Sequence, residues 1–369
     1  MNFDLWFSYL IFNLLICRIM VIGRIISGQS LNEQEESFNV SLRPKFLDEC
    51  VGQQNVREKL AIAIAAARQR GEPLEHILFY GPPGLGKTTL ANVVANEMEA
   101  RIRCSSGPAL VKAGDVMGLL SNINTGDVLF IDEIHRLSTP VEEFIYPAME
   151  EFRVDFTVDS GLHAKTINFP LKRFTLVGAT TRAGLLSAPL RSRFGMMYHL
   201  DFYSAEELTT ILSRSAELLS LQCEEGTLEL IAAGSRGTPR VANRLLKRVR
   251  DYAQVKGKGV LSSGIVESAL KMEQIDPLGL DELDRAVLRA LVKVYDGGPA
   301  GIEAIAATLG EERDTLEDVV EPYLLQIGFL RRTKRGREIT KQACEHLGLK
   351  FHRTKRPKTD QPELFEEGG

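Results

Sequence analysis

"GPPGLGKTT", Gly81 to Thr89, is the stretch on which the reading of this chain turns. It has the spacing glycine, four residues, glycine, lysine, threonine. It follows the apolar run "HILFY" (76–80) and opens the helical pattern "TTLANVVANEM" (88–98). A strand before and a helix after are the context in which this motif binds phosphate. Glycine lets successive backbone N–H groups turn inward around phosphate oxygens, and the helix N-terminus adds positive potential. Lys87 is expected on the β- and γ-phosphates of a nucleotide and Thr88 on Mg²⁺, with Gly84, Gly86 and Thr89 completing the cradle. The competing reading is a glycine-rich turn with a chance lysine, and the flanking strand and helix argue against it.

Outward from the loop, the apolar runs "RIRC" (101–104), "DVLFI" (127–131), "FTLVGA" (174–179) and "MMYHL" (196–200) alternate with helical patterns. Continuous apolar runs separated by helices predict a parallel sheet covered on both faces, hence an α/β fold over 28–203. "VLFIDEIH" (128–135) delivers Asp132 and Glu133 to the end of a buried strand. There Asp132 would hold the Mg²⁺ shell and Glu133 would act as general base on the attacking water. In "LVGATTRAG" (176–184), Thr181 sits where a hydroxyl could sense the γ-phosphate, with simple strand capping as the alternative.

From 204 to 275 the pattern is helical only, a small lid. "SAEELTTILSRSAELL" opens with a Ser204 and Glu207 capping box. "GTPRVANRLLKRV" (237–249) starts a helix with Thr238 at the N-cap and Pro239 in the first turn. Arg240 at that start would reach the γ-phosphate, or with Arg244 form a solvated basic face. Pro and Gly in "DPLGLDELD" (276–284) mark the next boundary, and 276–349 reads as helices followed by a charged hairpin.

The formal net charge of −4 excludes a chain that is basic throughout, so any nucleic-acid surface must be local. Five scattered cysteines without a CxxC pair suit a reducing, cytoplasmic compartment and no structural zinc. Residues 1–27 form an apolar extension whose run "LWFSYLIFNLLIC" is short and interrupted for a membrane span. Its bland reading is an upstream start codon, with Met20 as the alternative. The tail 350–369 is polar and expected to be disordered.

Two further segments stand out. "APLRSRFG" (188–195) places Arg191 and Arg193 with no acidic residue close in sequence. The structural reading is a long-range pair within the chain. "FRVDFTVDSGLHAKTINFPL" (152–171) alternates Val154, Phe156 and Val158 before a Ser-Gly turn, so it reads as a hairpin whose apolar face could simply be core.

Together, "GPPGLGKTTLANVVANEM", "DEIHRLS", "GATTRAGLLSAPLRSRFG" and "RGTPRVANRLLKRVRDYA" resemble the AAA+ ATPases. With "GEERDTLEDVVEPYLLQIGFLRRTKRGR" they resemble, more narrowly, the RuvB family of bacterial Holliday-junction branch-migration motors over roughly 35–349. The resemblance implies a P-loop AAA+ parallel-sheet domain, a helical lid and a C-terminal winged helix, with ATP and Mg²⁺ as cofactors. It implies a homohexameric ring in which Arg193 reaches the γ-phosphate bound to the next subunit. It further implies Leu42, Arg43 and Tyr203 around the adenine, and Glu150, Glu151 and Phe152 near the nucleotide. The 152–171 hairpin would dock a RuvA-type junction-binding protein through Phe156 and Val158, with a RuvC-type resolvase nearby. On the winged helix, Arg313, Arg332 and Arg337 would contact double-stranded DNA at four-way junctions, in recombination, DNA repair and the SOS response. The helix expected to lie along the DNA carries Asp314, Glu317, Asp318 and Glu321, which suits backbone contact better than base readout. A clamp-loader-like or protein-remodelling AAA+ ATPase is the alternative, and the wing argues against it.

Overall fold

A computed structural model describes residues 41–158 and 165–350; the apolar extension, the tip of the 152–171 hairpin and the C-terminal tail lie outside these. The described chain separates into two compact units that divide between Gly279 and Leu280.

The first unit is built on five parallel strands: β1 (Ile77–Tyr80), β2 (Ile102–Ser106), β3 (Val128–Asp132), β6 (Thr175–Thr180) and β7 (Met196–His199). Their order is β2-β3-β6-β1-β7. Side chains alternate across a strand, and here both faces are buried. Ile77, Phe79, Val128 and Phe130 pack against the helices Gln54–Arg70 and Lys87–Glu97. Leu78, Leu129 and Ile131 pack on the other face with Val116 and Leu120 of the helix Ala113–Leu120 and with Val141 and Ile145 of the helix Thr139–Glu150. Two apolar faces per strand are why the strands read as unbroken apolar runs. Phe79 and Phe130 are the largest fully buried side chains of β1 and β3, and truncating either to alanine would cost roughly 3–5 kcal/mol.

Between β3 and β6 an antiparallel hairpin, β4 (Arg153–Val158) and β5 (Lys165–Pro170), pairs Phe156 with Ile167 and Val158 with Lys165 in backbone register. Val154 is fully buried in the core on the second sheet face, so the start of this alternating run is structural. The side chains of Phe156 and Val158 lie outside the described part.

The lid portion contains the helices Ala205–Leu218, Thr227–Ala233, Pro239–Lys256 and Ser263–Met272. The Ser204 and Glu207 capping box forms as expected. Two expectations are corrected. The segment is not helical only, because β8 (Gln222–Cys223) pairs in parallel with β9 (Val260–Leu261). Two-residue strands are too short to leave a periodic signal. Thr238 occupies the N-cap position but does not cap through its side chain; its hydroxyl donates instead to the Ser235 carbonyl at 3.2 Å.

The second unit contains the helices Glu282–Lys293 and Ile302–Leu309, a helical stretch from Arg313 to Gln326, and an antiparallel hairpin of β10 (Leu330–Thr333) and β11 (Gly336–Ile339). Its turn residues are Lys334 and Arg335. The Arg313–Gln326 stretch widens into a π turn over Leu316–Val320, just before Pro322. Proline lacks an N–H and crowds the carbonyl four residues back, and a wider turn relieves both. No helix among the described residues is long and apolar enough to cross a membrane.

Candidate nucleotide site and DNA-binding wing

The loop leaving β1 holds Gly84 at φ +84° and Gly86 at φ +96°. Side-chain-bearing residues rarely adopt this region, so glycine at these points shapes the cradle. The Lys87 side chain is 8% exposed, and its ammonium donates to the carbonyls of Gly81 (2.8 Å) and Pro82 (2.9 Å) at the loop mouth.

Next to it, β3 ends on Asp132, whose carboxylate accepts the Glu133 N–H at 2.9 Å. Glu133 itself lies in the left-handed region (φ +47°), and the chain turns at once into the short helix Ile134–Arg136. A strained non-glycine residue at the end of a central strand marks a constrained site. Gly107 permits this turn, because a Cβ there would run into the Glu133 carbonyl. At the end of β6, Thr180 is buried and bonded to His135 Nδ1 at 2.9 Å, leaving Thr181 to line the cleft.

One cleft thus collects Gly84, Gly86, Lys87, Thr88 and Thr89 from the loop, Asp132 and Glu133 from β3, Thr181 from β6, Arg240 from the lid, and Arg43. An adjoining, more apolar pocket is lined by Leu42, Arg43 and Tyr203. Burial pushes the Tyr203 phenol well above its usual range, so it stays a donor, and it bonds the Leu85 carbonyl at 3.3 Å. Burial likewise raises the Cys50 thiol in this pocket to about 11. Two lining residues carried no sequence signal: Asn243 and Arg214. Arg214 reaches the Leu42 carbonyl (3.4 Å) and pairs with Glu49 (2.6 Å), tying the lid to the segment beside the pocket.

This donor set fits a nucleoside triphosphate with Mg²⁺. Positive-φ glycines and an ammonium suit the phosphates, and the Thr88 hydroxyl with the Asp132 carboxylate offers hard oxygen ligands.

Three expected residues lie elsewhere. Glu150, Glu151 and Phe152 do not line this cleft; Phe152 and Arg193 line a separate cavity with His76 and Met149. Glu151 pairs with Arg153 at 2.8 Å. Arg193 has a partner within the chain after all: it donates to Glu150 Oε2 at 3.0 Å and to the Pro189 carbonyl at 2.7 Å, and stacks over the Tyr146 ring at 4.3 Å. Glu150 precedes Arg193 by 43 residues, too far for a local pattern to show.

On the wing, Arg332 and Arg337 face each other across the hairpin. Arg332 is exposed, with its Nε 3.8 Å from the Glu321 carboxylate. Arg337 departs from the expectation of an openly presented cation. It is 8% exposed and donates to the buried Glu321 at 2.8 Å, with Glu317 at 3.5 Å. Arg313 pairs with Glu303 (2.9 Å) and Glu317 (3.2 Å). Glu317 and Glu321 of the acidic helix thus lie beside Arg313, Arg332 and Arg337 of their own unit, a placement the sequence order hides.

A parallel P-loop sheet with a strand-end Asp-Glu pair and a helical lid defines an AAA+ ATPase, here joined to a winged helix. The family model described as the Holliday junction DNA helicase RuvB P-loop domain matches residues 42–200, the RuvB AAA lid domain matches 203–276, and the RuvB C-terminal winged helix domain matches 277–348. Among solved structures, the Thermotoga maritima RuvB Holliday junction branch migration motor is 51% identical, with a TM-score of 0.77 over 84% of this chain and 99% of that one. A point mutant of the same Thermotoga maritima protein gives 51% identity and a TM-score of 0.78 over 83% and 99%. The chain belongs to the RuvB family, the ATP-driven motors of Holliday-junction branch migration.

Proposed function

We propose that this chain hydrolyses ATP with Mg²⁺ and uses the turnover to move double-stranded DNA through a homohexameric ring at four-way junctions. The observation that carries this reading is the convergence of Lys87, Asp132, Glu133, Thr181 and Arg240, from four separate segments, on one cleft.

ATP bound there supplies the phosphoanhydride whose cleavage drives the motor. Lys87 and the loop N–H groups hold the phosphates, and Thr88 and Asp132 hold Mg²⁺. Glu133 takes the proton of the attacking water, and its rigid placement at the strand end serves that role. Thr181 and Arg240 report the γ-phosphate to β6 and to the lid. Leu42, Arg43 and Tyr203 enclose the base. Arg193 serves the neighbouring subunit's nucleotide, where a permanent planar cation stabilises developing charge. Its position away from its own cleft supports action in trans. Glu150 and Phe152 lie beside Arg193 rather than in the cleft of their own subunit, with Glu151 between them in sequence.

Arg332 is exposed on the wing and contacts DNA phosphates, with the exposed Arg313 and the buried Arg337 supporting it. The β4–β5 hairpin docks a RuvA-type partner through Phe156 and Val158, a RuvC-type resolvase joins the complex, and the work is done in the cytoplasm. The test is ATP hydrolysis with and without four-way-junction DNA and a RuvA-type protein. Stimulation by both is expected; a rate indifferent to junction DNA would leave a clamp-loader-like or remodelling ATPase.

A further inference from the structure

The helix Thr139–Glu150 follows β3 and its Asp132-Glu133 pair after the short helix Ile134–Arg136. It carries Glu142, Tyr146 and Glu150 at intervals of four residues, one stripe along its surface. All three side chains contact the short segment that ends on Arg193. At its start, Ser187 caps the helix Ala188–Ser192 by accepting the Leu190 N–H at 3.3 Å. The Ser187 hydroxyl donates to the buried Glu142 carboxylate at 2.6 Å, and the Tyr146 hydroxyl lies 3.1 Å from both. At the far end, the Arg193 guanidinium carbon lies over the Tyr146 ring, 4.3 Å from its centroid, and Nη2 pairs with Glu150 at 3.0 Å.

We propose that Tyr146 is a positioning residue for phosphoryl transfer, aiming Arg193 at the neighbouring subunit's nucleotide while Glu150 acts as an exchangeable partner. This rests on the reading of Arg193 as an in-trans finger. The two contacts differ in kind. The Glu150 carboxylate is half exposed, so its pairing is weak and a phosphate can displace it. The Tyr146 ring holds the guanidinium by its face, leaving the edge N–H groups to change partner. Glu142 bonds the Tyr146 hydroxyl and also Ser187, so one carboxylate ties both the ring and the start of the finger helix to the helix Thr139–Glu150.

The test uses the full chain and mixed-subunit ATP hydrolysis on junction DNA. Tyr146→Leu should lower kcat roughly tenfold, the scale of a desolvated cation–π contact, with KM for ATP within about twofold of wild type. Tyr146→Phe keeps the ring and should retain most of kcat. Mixing Tyr146→Leu with Lys87→Ala subunits should restore turnover, because the latter lend an aimed finger to intact phosphate loops. Mixing Tyr146→Leu with Arg193→Ala should not, since neither supplies one. Should Tyr146→Leu not enter rings, Tyr146→Met keeps the apolar bulk without an aromatic face and carries the same expectation. An undiminished kcat in the leucine or methionine variant overturns the proposal. So does failure of the Lys87→Ala rescue when an Arg193→Ala with Lys87→Ala mixture succeeds, because Tyr146 would then act within its own subunit. If that control mixture itself shows no rescue, the in-trans reading fails first and the proposal falls with it.

Discussion

The Arg337 guanidinium and the Glu321 carboxylate, both almost fully buried, meet at 2.8 Å between the wing and the helix before it. Arg337 stands directly across the hairpin from Arg332, so this carboxylate also offsets two like charges in register. Breaking such a pair leaves a buried charge without compensation. Arg337→Ala is therefore expected to lower the stability of the second unit by roughly 3–5 kcal/mol, whereas Arg332→Ala should change it little. Calorimetric unfolding of the two variants separates these outcomes, and equal transitions would contradict the account.

Arg332→Ala should instead weaken binding about equally on two unrelated duplexes. Each phosphate neutralised releases condensed counter-ion, so its loss should flatten the log K against log salt slope by about 1. A salt titration checks this; an unchanged slope would make Arg332 solvated surface, and a loss on one sequence would mean base readout.

Glu133→Gln should bind ATP with near-normal affinity and lose roughly 10²–10⁴-fold in kcat, the range of a positioned general base. Single-turnover hydrolysis alongside equilibrium binding measures both. A variant retaining more than half of kcat would contradict the assignment.

His76 gives a pH dependence. Its Nδ1 accepts the Leu176 N–H at 2.9 Å, so Nε2 carries the proton donated to the Met149 carbonyl at 3.0 Å. Burial, first among the causes, lowers its pKa below the ordinary 6.5. The unfolded chain then takes a proton below 6.5 that the folded chain refuses until a lower pH, so this contribution is full above 6.5 and lost as pH falls toward the folded pKa. The stability difference between wild type and His76→Asn should shrink on going from about pH 7.5 to 5.5, by at most about 1.4 kcal/mol per pH unit. A pH-independent difference in urea unfolding would contradict the neutral tautomer.

The sheet was legible because every central strand is buried on two faces, which writes an uninterrupted apolar run into the sequence. The cleft was legible because its residues sit at strand ends and helix starts, positions that local patterns mark. Contacts between distant segments were not. Glu150 beneath Arg193, Glu321 beneath Arg337 and Arg214 beside Leu42 are set by packing across tens of residues. The β8–β9 pairing escaped for the opposite reason, since two residues carry no period. The acidic residues on the Arg313–Gln326 stretch are plain in the sequence, yet their role as internal counter-ions appears only in three dimensions.

Phe156 and Val158 changed together to Ser should leave basal ATP hydrolysis intact and abolish its stimulation by the junction-binding partner. Steady-state hydrolysis with and without that partner reads this out. A marked fall in melting temperature would instead place both side chains in the core, as Val154 is.

The central claim is that this chain turns ATP hydrolysis into movement of a DNA junction. Its most direct measurement is the conversion of a synthetic four-way junction into two duplexes by the full chain with a RuvA-type protein. Conversion is expected with ATP and Mg²⁺, and not with a non-hydrolysable analogue or with Glu133→Gln. Conversion at an equal rate under those two conditions, or none under the first while ATP is being hydrolysed, would contradict it.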